Sequence, residues 1–256
     1  MQRFKKTGVL VLALFFVLAA MPGKAAASGK TLRVGVREDI MHMGYLNSNT
    51  GKYYGLEIDL ADKLAEILGY TAVEYTSVNP ENRKDMLLTG EVDCLIAAYS
   101  VEATRLENFD FSPAYYTDYS CVMVEKSSLI HELSDLVGKK TGVLEGANTA
   151  PKLYQKMLDM ELLTEEDSKG SSLIKLASYE EMSVALEEGT VDAVCMDGCI
   201  ARAYMEDDRE ILEETVGQEE YAVATLKDSE LSQPVAEAIQ RMLDDGTIEG
   251  LIEKWN

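Results

Sequence analysis

The chain has 256 residues, of which 45 are acidic and 24 are basic, so its formal net charge is −21. A surface this acidic repels nucleic acid and anionic membranes, which argues against both as partners and favours solubility. Hydrophobic residues make up 46% of the chain, which is ample material for a core. The chain has two histidines, and its four cysteines show no metal-like pairing. We therefore expect neither a multi-histidine metal site nor a cofactor.

The amino terminus has the build of a secretory signal peptide. Basic Arg3, Lys5 and Lys6 precede an apolar run over residues 9–21, and small residues then lead to Ala27. An uncleaved anchor is the alternative, but the run is shorter than the roughly 20 residues that cross a bilayer. Cleavage after Ala27 removes four basic residues and no acidic one, leaving 229 residues with formal charge −25. We expect an exported protein with one large domain or two small lobes.

The first half of the mature chain reads as strand, helix, strand, helix, strand. Leu56, Leu60 and Leu64 recur at helical spacing, and Gly69 ends that helix. Residues 37–52 read as a loop because of their Gly, Asn and Ser content. The predicted strands are 31–36, 72–77 and 94–99, and the predicted helices are 55–68 and 81–88.

The second half repeats this order. The sequence GEVD at residues 90–93 lies 99 residues before GTVD at 189–192, so each half has an apolar strand leading to polar groups. Two β-α-β units can show such short matches without a common origin. We therefore take the matches as evidence of similar architecture and not as proof of duplication. The predicted strands are 141–144, 172–177 and 193–197, and the predicted helices are 148–158 and 179–188.

Two crossings between the halves divide the chain into two α/β lobes. We place the crossings at residues 115–119 and 217–221, so lobe 1 comprises 28–117 and 221–256 and lobe 2 comprises 118–220. After the second crossing we predict a strand at 221–226, a helix at 232–243 and a final helix at 247–255 that packs back onto lobe 1. These connections have ordinary lengths.

The polar residues that follow the buried strand from Cys94 form the first candidate site. Ligands of open α/β sheets lie outside the carboxyl ends of strands, which draws attention to Ser100 and Arg105. The planar guanidinium of Arg105 could make two parallel hydrogen bonds to a ligand carboxylate. A surface arginine paired with Glu102 or Glu107 is the alternative.

In the second half, Asp197 occupies the position that corresponds to Ala98 in the first. A carboxylate on one lobe facing Arg105 on the other would suit a zwitterion. The alternative is that Asp197 caps the amino end of a helix over 198–204. We interpret Cys94 and Cys195 as buried thiols, and a bridge between Cys195 and Cys199 remains open.

Four stretches resemble the family 3 extracellular solute-binding proteins, the polar amino acid receptors of ABC importers. They are GLEIDLADKLAEIL at residues 55–68, GEVDCLIAAYSVEATR at 90–105, DFSPAYY at 110–116 and DDGTIEGLIEKW at 244–255. The resemblance covers residues 31–256. It implies an α/β fold with two lobes, two doubly wound sheets and two hinge strands, which closes over one amino acid and delivers it to a membrane permease. We expect a monomer.

The resemblance also implies roles for individual residues. Arg105 would bind the ligand α-carboxylate and Asp197 the α-ammonium, while Ser100 would bind through its hydroxyl or backbone and Ala98 through its carbonyl. The turn over residues 144–148, with Gly146 and Asn148, resembles the amino-terminal turn of a helix whose free N–H groups suit a carboxylate.

The ligand side chain is assigned through two further positions. Arg83 stands where relatives that bind glutamate, aspartate or glutamine have a second arginine, and such an arginine would favour an acidic ligand. The alternative for Arg83 is a solvated helix residue paired with Glu81. Where relatives often have an aromatic residue over the ligand, this chain has Met43, which could form a flexible apolar lid.

The leading interpretation is therefore a non-catalytic receptor. An alternative is an enzyme on the same scaffold, since exported cyclohexadienyl and arogenate dehydratases are similar to this family. A lyase needs a placed general acid or base, for which Glu145 or Glu102 could be proposed. A ligand-sensing module is a third reading, although the sequence shows no second transmembrane or signalling region.

Overall fold

The computed structural model describes residues 29–164 and 172–256, so the expected signal peptide at 1–27 lies outside the described residues. The strands, in chain order, are β1 Thr31–Val36, β2 Asp39–Ile40, β3 Gly44–Asn47, β4 Lys52–Tyr54, β5 Ala72–Ser77, β6 Cys94–Ile96, β7 Phe109–Phe111, β8 Tyr116–Glu125, β9 Thr141–Leu144, β10 Leu173–Leu176, β11 Ala193–Asp197, β12 Arg209–Ile211, β13 Gly217–Tyr221 and β14 Ala224–Leu226. The helices are α1 Leu56–Ile67, α2 Arg83–Leu88, α3 Thr149–Asp159, α4 Tyr179–Glu187, α5 Gly198–Ala203, α6 Ser232–Asp244 and α7 Thr247–Trp255, with a 3-10 turn at Leu133–Leu136.

The first lobe is built on a five-stranded sheet in the order β5-β1-β6-β14-β7, in which β1 pairs in parallel with β5 and β6. Side chains of β6 alternate between two apolar clusters. Cys94 and Ile96 pack in the cluster that holds α1, whereas Leu95 packs with Leu87 of α2. The sheet is therefore covered by helices on both faces, which explains why its strands read as apolar runs.

The second lobe has a six-stranded sheet in the order β10-β9-β11-β8-β12, with β13 also paired to β8. Strand β11 again faces two clusters, since Cys195 packs with Leu153 of α3 and Val194 packs in the cluster with Met182 of α4. The expected two-lobed α/β fold is confirmed in both halves.

Two adjacent strands carry the chain between the sheets. Strand β8 enters the second sheet and β13 returns from it, and the two pair antiparallel with Tyr116 opposite Tyr221. Ser100 forms an isolated bridge with Tyr221, which ties the end of the β6 segment to the same crossing. The residues that follow β6 therefore lie where the two lobes join.

The prediction of an uninterrupted loop over residues 37–52 was wrong, because the short strands β2 and β3 and the start of β4 lie within it and form a three-stranded sheet. These strands are only two to four residues long, and mostly half-buried or exposed, so they lack the alternation that marks longer strands. The strand predicted to end at residue 99 ends at Ile96, because Ala98 has φ 45° and leaves the extended conformation. The helix predicted from Glu81 begins at Arg83.

The final helix packs onto the first lobe as predicted. Lys254 Nζ and Trp255 Nε1 each donate to Asp59 Oδ2 of α1, at 2.6 Å. Within the described part of the chain, no helix is long and apolar enough to cross a membrane. All four cysteines are free thiols and Cys94 and Cys195 are buried, so the possible bridge between Cys195 and Cys199 is not formed.

Candidate functional site

The ring of Tyr99 lies beside two guanidinium groups. The guanidinium carbon is 4.5 Å from the ring centroid for Arg83 and 4.1 Å for Arg105. Tyr99 lies three residues beyond the end of β6 and is buried, so both arginines lie near the carboxyl end of the central strand. Cation–π contact allows the ring to hold cations that would otherwise separate. Tyr99 was missed by the sequence analysis because an aromatic residue in an apolar run is normally core.

Arg83 is buried, with 4% of its surface exposed, so the solvated alternative with Glu81 is wrong. Its Nη1 donates to the carbonyl oxygens of Ala97 at 2.8 Å and Ala98 at 3.3 Å. Burial lowers the pKa of Arg83 to about 9, and the charges of Arg105 and Arg37 add to this effect. A buried cation beside other cations is destabilising unless an anion joins it.

Arg105 does not form the surface ion pair that was the alternative to ligand binding. Its Nη1 donates to the carbonyl oxygen of Ser100 at 2.6 Å, and burial lowers its pKa. In residues 29–164 and 172–256, no carboxylate lies within ion-pair distance of Arg83 or Arg105. The two guanidiniums therefore form no direct ion pair with a carboxylate of the described residues, although the charges of Glu102, Glu219 and Asp197 act on Arg105 from a longer distance.

A buried glutamate supports the turn at Ala98. The Ala98 N–H and the Tyr115 hydroxyl each donate to Glu57 Oε1, at 2.6 Å. The other oxygen, Glu57 Oε2, is buried and has no hydrogen-bond partner among the described residues. Burial raises the pKa of Glu57. Glu57 could not be singled out from the sequence, because a carboxylate in the first turn of a helix is ordinarily explained by the helix dipole.

Arg37 is another buried arginine, and it was not predicted from the sequence. Only 2% of its surface is exposed, and its guanidinium forms two hydrogen bonds with Asp39, at 2.7 and 2.9 Å. Its guanidinium carbon lies 5.5 Å from the ring centroid of Tyr179 in α4 of the second lobe. The two lobes therefore touch through this pair. No helical or strand pattern could have shown it, because Arg37 lies in the stretch interpreted as a loop.

Asp197 ends β11 at the carboxyl edge of the second sheet, and it does not cap α5. The N–H of Cys199 in that helix donates to Asp118 Oδ2 at 2.5 Å, while the side chain of Asp197 makes no cap bond. Instead, the Tyr221 hydroxyl donates to Asp197 Oδ2 at 2.5 Å, and Ser120 Oγ lies 3.0 Å from Oδ1. Burial raises the pKa of Asp197 to about 6, with a further contribution from Glu219.

Glu219 in β13 is a second buried carboxylate beside Asp197, and its surface is 0% exposed. Lys152 Nζ and Ser120 Oγ lie 2.8 and 2.6 Å from Oε1, and Asn148 Nδ2 donates to Oε2 at 3.0 Å. Burial alone would raise the pKa of Glu219, but hydrogen bonds, first of all from Lys152, lower it. The sequence did not single out Glu219, since it sits in an acidic, polar stretch.

The turn before α3 meets the first lobe closely. Gly146 has φ 72°, and a Cβ there would lie 3.1 Å from the Pro80 carbonyl carbon. Asn148 Nδ2 also donates to Glu102 Oε1 of the first lobe at 2.8 Å. A cavity of about 210 Å³ lies here, and the residues that line it include Arg83, Lys84, Tyr99, Arg105 and Gly146.

The structure thus brings Arg83, Arg105 and Gly146 to one cavity, and Ala98 and Ser100 supply carbonyls to the two arginines. Met43 lines a separate cavity of about 580 Å³ between the lobes, together with Leu56, Cys199, Arg202 and Trp255. Met43 is buried, and it is not among the residues that line the cavity of Arg83 and Arg105.

The fold and these buried charges define a two-lobed α/β binding protein with a cationic wall on one lobe and an acidic wall on the other. The family model for bacterial extracellular solute-binding proteins, family 3, matches residues 32–256. The chain belongs to this family.

Three comparisons show what the chain is similar to. The glutamine-binding protein of an ABC transporter in Bacillus subtilis is 25% identical, over 86% of this chain and 79% of that protein. The structure of an ancestral arginine-binding protein bound to arginine has a TM-score of 0.77 and 32% identity, covering 88% of this chain and 97% of that one. An ancestral amino acid-binding protein, a precursor of cyclohexadienyl dehydratase, has a TM-score of 0.75 and 27% identity, covering 88% and 95%.

Proposed function

We propose that this protein is the extracytoplasmic receptor of an ABC importer and binds one polar amino acid, of the glutamate, aspartate or glutamine type, in the cleft between its lobes. The observation that supports this best is the pair of guanidiniums on the Tyr99 ring, buried Arg83 and half-buried Arg105, which form no ion pair with a carboxylate in the described ranges. A ligand with one or two carboxylates would supply the missing charge.

Arg105 is the residue we assign to the ligand α-carboxylate. Its guanidinium lines the cavity and is held by the Ser100 carbonyl, which leaves further N–H groups for a bidentate contact. Gly146 and Asn148 adjoin the start of α3, where free N–H groups favour the same anion.

Asp197 is the residue we assign to the α-ammonium, with the carbonyl of Ala98 and the hydroxyl of Ser100 as its polar neighbours in the proposed site. Its burial makes a charged contact with an ammonium strong, because little water competes. Met43 lines the separate cavity between the lobes, so we do not propose it as a cover over the ligand held by Arg83 and Arg105.

Arg83 is the residue we assign to the ligand side chain. It lies in the same small cavity as Arg105 and shares the Tyr99 ring with it. A carboxylate or amide oxygen near Arg83 would satisfy a guanidinium whose present partners are two backbone carbonyls. The named relatives bind glutamine and arginine, so they support an amino acid ligand, whereas the acidic preference rests on Arg83 alone.

Titration calorimetry with L-glutamate, L-aspartate, L-glutamine, L-arginine and L-cystine tests this proposal. We expect one of the first three to bind with a Kd of about 1 μM, which corresponds to about −8 kcal/mol. The same ligand should raise the unfolding temperature, because it binds only the folded state. Tightest binding of arginine would contradict the side-chain assignment, and no binding of any amino acid would contradict the function.

We propose no catalytic activity. Glu102 is engaged by Lys152 and Asn148, and the half-exposed Glu145 pairs with Lys175 at 3.7 Å, so neither carboxylate is placed as a general acid. Turnover of prephenate or arogenate by the purified protein would contradict this assignment.

The proposal also covers localisation, partner and oligomeric state: the protein is exported through the signal segment at 1–27, delivers its ligand to a membrane permease and is a monomer. Lobe 1 comprises residues 28–117 and 221–256, and lobe 2 comprises residues 118–220. The paired crossings β8 and β13 support those lobe bounds. Limited proteolysis with and without ligand tests them, since closure should protect the crossings.

A further inference from the structure

A single hydroxyl lies between the two buried carboxylates of the second lobe. Ser120 Oγ is 3.0 Å from Asp197 Oδ1 and 2.6 Å from Glu219 Oε1. A serine hydroxyl has one hydrogen to donate, so it can satisfy only one of two ionised carboxylates. The second short contact then needs a hydrogen from the other carboxyl group. The geometry therefore fits one carboxylic acid and one carboxylate.

The partners of each group indicate where that proton resides. Glu219 has a cation and an amide donor of its own, Lys152 Nζ at 2.8 Å and Asn148 Nδ2 at 3.0 Å. Asp197 has the Tyr221 hydroxyl on Oδ2, and no cation forms an ion pair with it in the described residues. A chain of donors follows, in which Asp197 Oδ1–H donates to Ser120 and Ser120 donates to Glu219.

We propose that Glu219 is a positioning residue that makes Asp197 retain its proton to a higher pH than an ordinary aspartate in the ligand-free protein, and that the ligand ammonium displaces this proton where it is present. This inference rests on the proposed function only in its second half. On binding, the O–H bond of Asp197 breaks and its proton passes to solvent buffer. The ammonium then donates to the carboxylate that remains, while Ser120 continues to donate to Glu219.

The other groups around Asp197 do not supply the hydrogen that its contact with Ser120 needs. Asp118 and Glu219 are negative and act in the same direction, and the nearby thiol of Cys199 and phenols of Tyr179 and Tyr221 have pKa values raised by burial, so they stay neutral. The thiols of Cys121 and Cys195 are neutral for the same reason. Two cations face this cluster, since Arg105 of the other lobe interacts with the charge of Asp197 and Arg202 lies 3.7 Å from Asp118.

The sign of the pH dependence follows from linkage. The ligand binds the ionised form of Asp197, whose pKa of about 6 is raised by burial and by Glu219. Affinity is therefore full well above pH 6 and falls as the pH decreases through 6. From about pH 7 to about pH 5, the Kd should rise about tenfold, with nearly one proton released per ligand at the lower pH.

The ligand-free protein provides the first test. Carbon-13 NMR of aspartate side chains should show one carboxyl that titrates at about pH 6, and Asp197→Asn should remove that signal. In Glu219→Gln the midpoint should fall by more than about one pH unit, because the negative charge is gone and Ser120 is free to donate to Asp197. Glu220→Gln, which changes an exposed neighbour on β13, is the matched control and should leave the midpoint unchanged.

The second test uses L-glutamine as probe, because its side chain does not titrate in this range. Calorimetry in buffers of different ionisation enthalpy measures both the Kd and the protons released between about pH 8 and about pH 5. In the unsubstituted protein and in Glu220→Gln, the Kd should rise about tenfold over this range. In Glu219→Gln it should change less than about twofold.

Absence of any aspartate that titrates above about pH 5 overturns the proposal, whether or not Glu219→Gln folds. An unchanged midpoint in folded Glu219→Gln also overturns it. If no amino acid binds, the proposed function fails, while the ligand-free titration still decides where the proton lies.

Discussion

The two lobes share a strand-helix-strand-helix-strand order but present opposite charges to each other. Ala98 and Asp197 occupy corresponding places, each just after or at the end of a buried central strand. In lobe 1 the left-handed turn at Ala98 offers carbonyl oxygens, which hold Arg83, whereas in lobe 2 the same place carries a carboxylate. Equivalent backbone positions can thus supply unlike chemistry to one cleft.

The lobes also differ in how their charges are compensated. The lobe 2 carboxylates have donors from the protein, including Lys152 for Glu219 and Tyr221 for Asp197. Among the described residues, Arg83 and Arg105 of lobe 1 have hydrogen bonds to carbonyls and contacts with the Tyr99 ring, but no ion pair. Lobe 1 therefore holds the unmet charge, and we expect its substitutions to change ligand choice, while those in lobe 2 change both binding and stability.

The largest effect should come from removing one charge from either wall. Arg105→Ala and Asp197→Ala should each weaken binding by a hundredfold or more, because losing one partner of a buried charge pair costs about 3–5 kcal/mol. Calorimetry measures the Kd, and Arg241→Ala, at an exposed arginine of α6, is the control. Retained binding in both variants would contradict the site assignment. Arg105→Lys should lie between, since lysine lacks the bidentate fork.

A change of ligand preference should follow Arg83→Met. Methionine keeps much of the volume and removes the charge, so L-glutamate should lose about tenfold to a hundredfold more affinity than L-glutamine. The ratio of the two Kd values is the measurement, which is insensitive to general loosening of the site. Equal losses for both ligands would show that Arg83 does not contact the side chain.

A loss of stability should follow Lys152→Met in lobe 2. Glu219 would remain fully buried without its cation, at a cost of about 3 kcal/mol in the free energy of unfolding. Urea denaturation of the ligand-free protein measures this cost. Lys156→Met, one turn further along α3, is the matched control and should change stability by less than about 0.5 kcal/mol. A similar value for both variants would contradict the role of Lys152.

The smallest effect should come from the ion pair between Glu102 and Lys152, in which lobe 1 supplies the acid and lobe 2 the base. Glu102 is an acidic residue of lobe 1, and its Oε1 lies 2.8 Å from Lys152 Nζ of lobe 2. Both side chains are partly exposed, so Glu102→Gln should cost less than about 1 kcal/mol and weaken binding less than about fivefold. The effect should shrink at high salt, which calorimetry at two ionic strengths would show. Glu107→Gln, at an exposed site, is the control.

Much of the architecture could be read from local patterns, and the errors have local causes. The leucines of α1 at helical spacing and the uncharged run from Cys94 predicted elements that the structure contains. The short strands β2, β3 and β4 escaped prediction because two to four residues do not establish a period. The bounds of β6 were wrong because the left-handed conformation of Ala98 has no sequence signal when glycine is absent.

For the site, the sequence determined which charged groups follow the central strands, since Asp197 ends one apolar run and Arg105 comes six residues after the other. It could not decide between ligand binding and a surface ion pair or a helix cap, because each alternative satisfies the same local pattern. The structure decided against the surface ion pair of Arg105 and the side-chain cap by Asp197, because the two side chains have other hydrogen-bond partners. It also revealed Glu57, Arg37 and Glu219, whose neighbours lie far away along the chain. Charge compensation depends on distances in space, and those distances arise only when the two lobes pack together.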